Sequence, residues 1–225
     1  MPVSSSRTLR VPLGLLAVLV PLFALITWQV VADGPLVGLD ERASRALVHP
    51  DRFSELLSDL GNVQVAVPVL VLALAYAAWR GRAGGAGRWW LPPLAGAAAM
   101  VLVPVLVVPL KEWTDRPGTP AVPPAVGYYP SGHTTTALVA YGAATLLLLG
   151  VLRSPAVRRL LVALCAVLVL GASYGLVRRG YHWPLDVVAG WCLGAVLLVG
   201  VSPVLGRRTH RQRPSGTPGS RTGPG

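Results

Sequence analysis

Two histidines, His133 and His182, each stand where a polar segment meets a long apolar run. The first closes Tyr129-Pro130-Ser131-Gly132-His133; the second lies in Tyr181-His182-Trp183-Pro184-Leu185-Asp186. Asp186 follows His182 by four residues, within reach of the imidazole if a helix begins there, and Pro184 is a residue that a helix's first turn tolerates. A carboxylate near a helix N-terminus is stabilised, and it could accept Nδ1–H of His182 and leave Nε2 unprotonated and nucleophilic. A histidine oriented in this way, facing a second histidine, is equipment for moving a phosphoryl group without a metal. The same pair also fits a helix cap with no chemistry. An ionisable pair at a membrane edge is costly, and that cost tilts the reading toward function.

Other residues nearby suit a phosphate. Ser131 and Gly132 precede an apolar run that reads as a helix, whose free N–H groups and positive dipole end favour an anion. A plain N-cap and turn would use the same two residues. Lys111, Arg116, Arg178 and Arg179 supply cations for phosphate oxygens, while contact with lipid headgroups is the competing role, strongest for Arg178. No third histidine lies near the first two, and no H-x-x-x-H or multi-carboxylate pattern appears, so neither a metal nor any other cofactor is expected.

These residues must be held by apolar helices. The chain has 225 residues, 53% hydrophobic and 13% charged; a soluble domain carries about a quarter charged residues. Six blocks, at roughly 11–31, 63–79, 89–110, 134–152, 160–177 and 185–205, are long enough to span a bilayer at about 20 residues each. Residues 11–205 therefore read as one all-α, polytopic membrane domain. The first block resembles a signal peptide, with Val30-Val31-Ala32 as a small-residue site, but its apolar stretch exceeds the 7–15 residues of a signal core, so a retained anchor is expected. Between the first two spans, residues 39–60 have apolar positions near helical spacing, interrupted by Pro50. Two short amphipathic surface helices fit.

Segments 1–10, 80–88, 153–159 and 206–225 hold thirteen arginines and no acidic residue, whereas the rest of the chain holds all nine acidic residues and seven basic ones. The positive-inside rule then places both termini, including an N-terminal segment 1–10, in the cytoplasm of a multi-pass cell-membrane protein. The three polar clusters, which run from Lys111 to Pro117, from Tyr129 to His133 and from Arg178 to Asp186, fall on the extracytoplasmic face. The net charge of +11 thus reads as topology rather than nucleic-acid binding. Residues 206–225, rich in arginine, proline, glycine and serine, are expected to be a disordered basic tail. Cys165 and Cys192 sit inside apolar runs as small buried side chains. Oligomeric state is not legible.

The order and spacing of the three clusters resemble the type 2 phosphatidic acid phosphatase (PAP2) superfamily of integral-membrane lipid phosphatases. That family carries Lys-x6-Arg-Pro, then Pro-Ser-Gly-His, then Ser-Arg-x5-His-x3-Asp. Pro130-Ser131-Gly132-His133 matches fully, as does His182-x3-Asp186, and the resemblance covers about residues 35–200. It implies a six-helix bundle in which His182 attacks phosphorus, Asp186 orients it and His133 protonates the leaving oxygen and later activates water. Lys111, Ser131 and Gly132 would hold the phosphate. Two positions depart: Gly118 stands seven residues after Lys111, and the family's Ser-Arg falls at Gly175-Leu176. Arg116, before Pro117, and Arg179, one helical turn after Leu176, are the expected replacements in phosphate binding.

The function expected from these features is hydrolysis of a lipid phosphate or polyprenyl pyrophosphate at the outer face. The substrate would be drawn from the bilayer, with phosphatidic acid, undecaprenyl pyrophosphate or a phosphorylated glycolipid as candidates. A catalytically inactive PAP2-like protein that binds lipid headgroups or scaffolds partners is the alternative. A transporter is disfavoured because no charged residue falls at a span centre. Phosphate release that vanishes in His182→Ala and His133→Ala separates enzyme from binder.

Overall fold

The computed structural model describes residues 5–205, with side chains from residue 13 onward; the expectation for the tail after Leu205 lies outside the described residues. Eight helices follow one another: α1 (Ser5–Val31), α2 (Pro35–Leu47), α3 (Arg52–Asp59), α4 (Val63–Ala83), α5 (Leu91–Thr114), α6 (Gly132–Val151), α7 (Pro155–Arg178) and α8 (Pro184–Leu205). Six of them, α1 and α4–α8, are long and apolar enough to cross a membrane. The described residues form an all-α bundle with the two short expected helices, α2 and α3, between the first two spans.

Two helices run past the apolar blocks expected for them. α5 continues through Lys111 to Thr114, and α7 begins at Pro155 and reaches Arg178. Hydropathy stops at a charge, but backbone hydrogen bonding does not; long cationic side chains leave the helix axis and let the helix continue.

α6 occupies the centre and is the most buried span. Its sequence explains the placement. Ala137, Ala140, Ala143 and Ala144 are buried, and small side chains let neighbouring backbones approach within a membrane, where packing rather than water exclusion drives association. Helices α4, α5, α7 and α8 surround it. The sense of the two short helices is set by their small polar residues. Leu39, Leu47, Phe53 and Leu56 face outward at 46–67% exposure, while Asp40, Ser44, Ser54 and Ser58 are buried. These four apolar residues therefore face away from the bundle, while small polar residues, together with half-buried Leu57 and Leu60 against Gly171 of α7, make the protein contact. Ser54 and Ser58 allow α3 to lie directly on α7: a Cβ placed on Gly175 would come within 2.6 Å of the Ser54 carbonyl oxygen.

Candidate active site

The two histidines stand on neighbouring helix ends. Asp186 N-terminally anchors α8, its side chain fully buried. Its Oδ2 accepts from His182 Nδ1 at 3.2 Å and from the Trp183 N–H at 3.2 Å. This fixes the imidazole so that Nε2 is the nitrogen free to react. His133 lies in the first turn of α6, and its ring centroid is 6.3 Å from that of His182, the planes inclined by 61°. A bound reacting group approaches its nucleophile at about 3–3.5 Å, so one tetrahedral phosphate between the rings would reach both.

α6 begins at Gly132 itself, with Ser131 as N-cap. Ser131 Oγ accepts the Thr134 N–H at 3.3 Å, and the Ser131 N–H donates to the Asp186 carbonyl at 3.0 Å. The fully buried Ser131 thus ties the starts of α6 and α8 together.

A cavity of about 900 Å³ opens in front of the imidazoles, lined by Lys111, Gly132, His133 and His182. Lys111 Nζ donates to the Gly127 carbonyl at 2.7 Å and lies 6.0 Å from the centre of the Tyr128 ring. Tyr128 also meets His182 edge-on at 5.9 Å. Below this polar end, Met100, Val103, Pro104 and Val107 of α5 continue the wall. From Lys111 to Met100 is eleven residues, about 16 Å of helix. The cavity is polar at the helix ends and hydrocarbon along α5.

Neither displaced arginine lines this cavity. Arg116 is buried, Nη1 donating to Asp186 Oδ1 at 2.5 Å and Nη2 to Asp40 Oδ2 at 2.6 Å, with its guanidinium carbon 5.5 Å from the centre of the Trp183 ring. Arg179 donates from Nη2 to the Tyr181 hydroxyl at 3.1 Å and has Glu55 at 4.0 Å. Leu176, at the family's second arginine position, lines the cavity instead. Gly118 stands at the first: a Cβ there would sit 2.7 Å from side-chain atoms of Tyr128 and Val122, so a larger residue would have to displace them. Lys111 is the only lysine or arginine on the cavity wall among the described residues.

Sequence reasoning missed Asp40, Tyr128 and the rim formed by Ser58, Asp59 and Asn62. Asp40 signalled itself as a carboxylate on a short helix whose polar face could be the inward one. Burial pushes its carboxyl above the ordinary 3.8, opposed by the hydrogen bond from Arg116. The loop after α5 places Tyr128 by folding back on itself, with the Tyr128 N–H donating to the Arg116 carbonyl at 3.1 Å. Thr119 Oγ1 in turn donates to the Gly180 carbonyl, latching that loop to the turn before α8. Gly180 has φ +72°, a conformation that favours glycine, and a Cβ there would also run into Ala121. Among the described residues, no group of three His, Cys, Asp or Glu side chains is placed to hold a metal ion.

A six-span bundle with a Pro-Ser-Gly-His turn opposite a His-x3-Asp pair defines a class of membrane protein, and the comparisons agree with it. The PAP2 superfamily matches residues 94–210, just over half of the chain, and the chain belongs to that superfamily. The fold resembles the crystal structure of a transmembrane PAP2-type phosphatidylglycerolphosphate phosphatase from Bacillus subtilis, with a TM-score of 0.68 and 23% identity over 90% of this chain and 98% of that one. A stretch of 67 residues is 51% identical to an undecaprenyl-diphosphatase of Sulfolobus acidocaldarius. It spans 30% of this chain and 28% of that protein.

Proposed function

We propose that the protein is a membrane phosphatase that hydrolyses a lipid phosphate or polyprenyl diphosphate through a phosphohistidine. The observation that carries this reading is the Asp186-held imidazole of His182 facing His133 across a cavity with Lys111 on its wall. In the first step Nε2 of His182 forms a bond to phosphorus as the bond from phosphorus to the leaving oxygen breaks. His133, protonated, gives that oxygen its proton. In the second step His133 takes a proton from water, the water oxygen bonds to phosphorus, and the N–P bond breaks to release inorganic phosphate and restore His182. Lys111 and the N–H groups at the start of α6 would hold the phosphate oxygens. A single such donor is typically worth about 3 kcal/mol of barrier.

Polyprenyl and diacyl tails both suit the apolar wall below Lys111. The names of the two similar proteins keep a polyprenyl diphosphate and a phosphatidylglycerol phosphate as the leading candidates. The arginine pattern supports an extracytoplasmic site with both termini in the cytoplasm. Labelling of a cysteine placed at exposed Glu112 by a membrane-impermeant maleimide, in intact cells, tests that orientation.

Leu176 in the family's arginine position favours a second reading, a lipid-phosphate binder without turnover. Phosphate release from several lipid phosphates and diphosphates in detergent separates the two. The enzyme reading expects release by the parent and its loss in His182→Ala and His133→Ala with folding retained. No release by the parent from any substrate overturns it.

A further inference from the structure

We propose that Asp40 and Arg116 are positioning residues for His182, forming with Asp186 a buried ionic chain that carries α2 into the reaction without touching the phosphate. The inference rests on the hydrolase reading for its kinetic consequence, but its geometry stands on its own. Asp40 Oδ2 accepts from Arg116 Nη2 at 2.6 Å, Arg116 Nη1 donates to Asp186 Oδ1 at 2.5 Å, and Asp186 Oδ2 meets His182 Nδ1 at 3.2 Å. The side chains of Asp40 and Asp186 are fully buried, and those of Arg116 and His182 are 6% exposed. Of the four, only His182 reaches the cavity.

Asp40 does two things in this chain. Its Oδ1 accepts the Leu185 N–H at 2.8 Å, which holds the first turn of α8 and hence the spacing between His182 and Asp186. Its second oxygen takes half of the Arg116 fork. With both oxygens accepting, Asp40 acts as a carboxylate. Alone, Arg116 would neutralise Asp186. Shared between two carboxylates, it leaves one net negative charge in a water-poor site beside the imidazole. That charge favours the cationic ring that exists while Nε2 is bonded to phosphorus and Nδ1 keeps its proton.

A ligand role for Arg116 and a positioning role differ in what they leave intact. Removing a phosphate ligand weakens ground-state binding of phosphate. Removing a positioning charge lowers turnover and disturbs the His182 tautomer. Asp40→Asn is the informative change because the amide oxygen can still accept the Leu185 N–H while the charge is gone. The experiment uses the full chain in detergent, comparing the parent with Asp40→Asn, Asp40→Glu and Arg116→Lys. It reads kcat and KM for a lipid phosphate, the inhibition constant of inorganic phosphate, and the tautomer of His182 by nitrogen-15 NMR, assigned with His182→Ala.

The expected result for Asp40→Asn is a kcat lowered about 100-fold, with KM and phosphate inhibition changed less than about threefold. The Nδ1–H tautomer of His182 falls in population, and Asp40→Glu recovers at least about tenfold of the lost kcat. Arg116→Lys, which keeps the charge but not the fork, shows the same kcat-selective loss and decides the matter if Asp40→Asn loses its cooperative melt. Phosphate inhibition weakened tenfold or more in either variant overturns the proposal, as does an unchanged kcat and tautomer. If the parent releases no phosphate at all, the hydrolase reading fails while the tautomer comparison still tests the ionic chain.

Discussion

His133 and His182 face one another with ring centroids 6.3 Å apart, yet they are held by unlike means. His182 is buried and tied to Asp186, whereas His133 is exposed, and among the described residues no hydrogen bond holds its side chain. That asymmetry suits the roles proposed for them, an attacking group that must not move and a proton carrier that must serve two successive oxygens.

On the proposed mechanism, removing the His133 imidazole should therefore separate the two half-reactions. With a leaving group that needs no protonation, such as p-nitrophenolate, His133→Ala is expected to retain the first step and lose the second. Radiolabelled phosphate from such a substrate should accumulate on the protein as an acid-labile, base-stable adduct, and His182→Ala should show none. An adduct absent from His133→Ala, or present in His182→Ala, counts against the assignment of roles.

The parts of this site that were legible in the sequence are the local ones. Ser131 as a cap and Asp186 one turn beyond His182 are fixed by helical spacing, so a linear reading places them. Arg116 could not be placed in that way. Its guanidinium is aimed by Asp186, 70 residues further on, and by Asp40, 76 residues earlier. One turn of helix likewise put Arg179 near the family's arginine position by spacing alone, but Tyr181 holds its side chain and Leu176 takes the cavity wall. The stripes of α2 and α3 were found in the sequence without their sense. Where the surroundings are lipid and interface rather than water, an apolar face has no reason to point inward, and Asp40 and Ser44 supply the protein contact.

The start of α3 gives a pH dependence. The Ser54 N–H, first, and then Arg178 hold the Asp51 carboxyl down to about 2, from an ordinary 3.8. A depressed carboxyl contributes stability that is complete above its unfolded value and disappears as pH falls through the folded one. Acidification from pH 5 toward pH 2 should loosen α3 where Arg178 Nε meets Asp51 at 2.9 Å. Hydrogen exchange of the α3 amides checks this; Asp51→Asn should remove much of the difference between the two pH values.

A second test of α3 is steric. Gly175 packs against backbone atoms of Ser54, Leu57 and Ser58, none of which can rotate aside. Gly175→Val should destabilise the protein by about 1–3 kcal/mol, as overpacking does. Because Ser58 and Asp59 border the cavity, activity should fall even at temperatures where the bundle stays folded. A thermal melt in detergent paired with a rate measurement reads both effects. Unchanged melting would mean that α3 does not lie on α7 so closely.

The apolar wall of α5 tests which part of the substrate the cavity serves. Val101 lines the cavity while remaining 64% exposed on the outside of the helix, so a larger side chain there has room and little core packing to upset. It lies ten residues before Lys111, about 15 Å away along α5, far from the imidazoles but within reach of the tail of a lipid whose headgroup, on the proposed function, would sit between them. Val101→Trp should then raise KM about tenfold for a long-chain lipid phosphate, the loss of a little over 1 kcal/mol of tail contact. A short-chain, water-soluble phosphate should be hydrolysed as before, since its atoms end above this point. Equal losses for both substrates would show that the indole disturbs the catalytic end instead. Equal retention would mean that the tail leaves the protein before reaching Val101 and lies in the bilayer from there on.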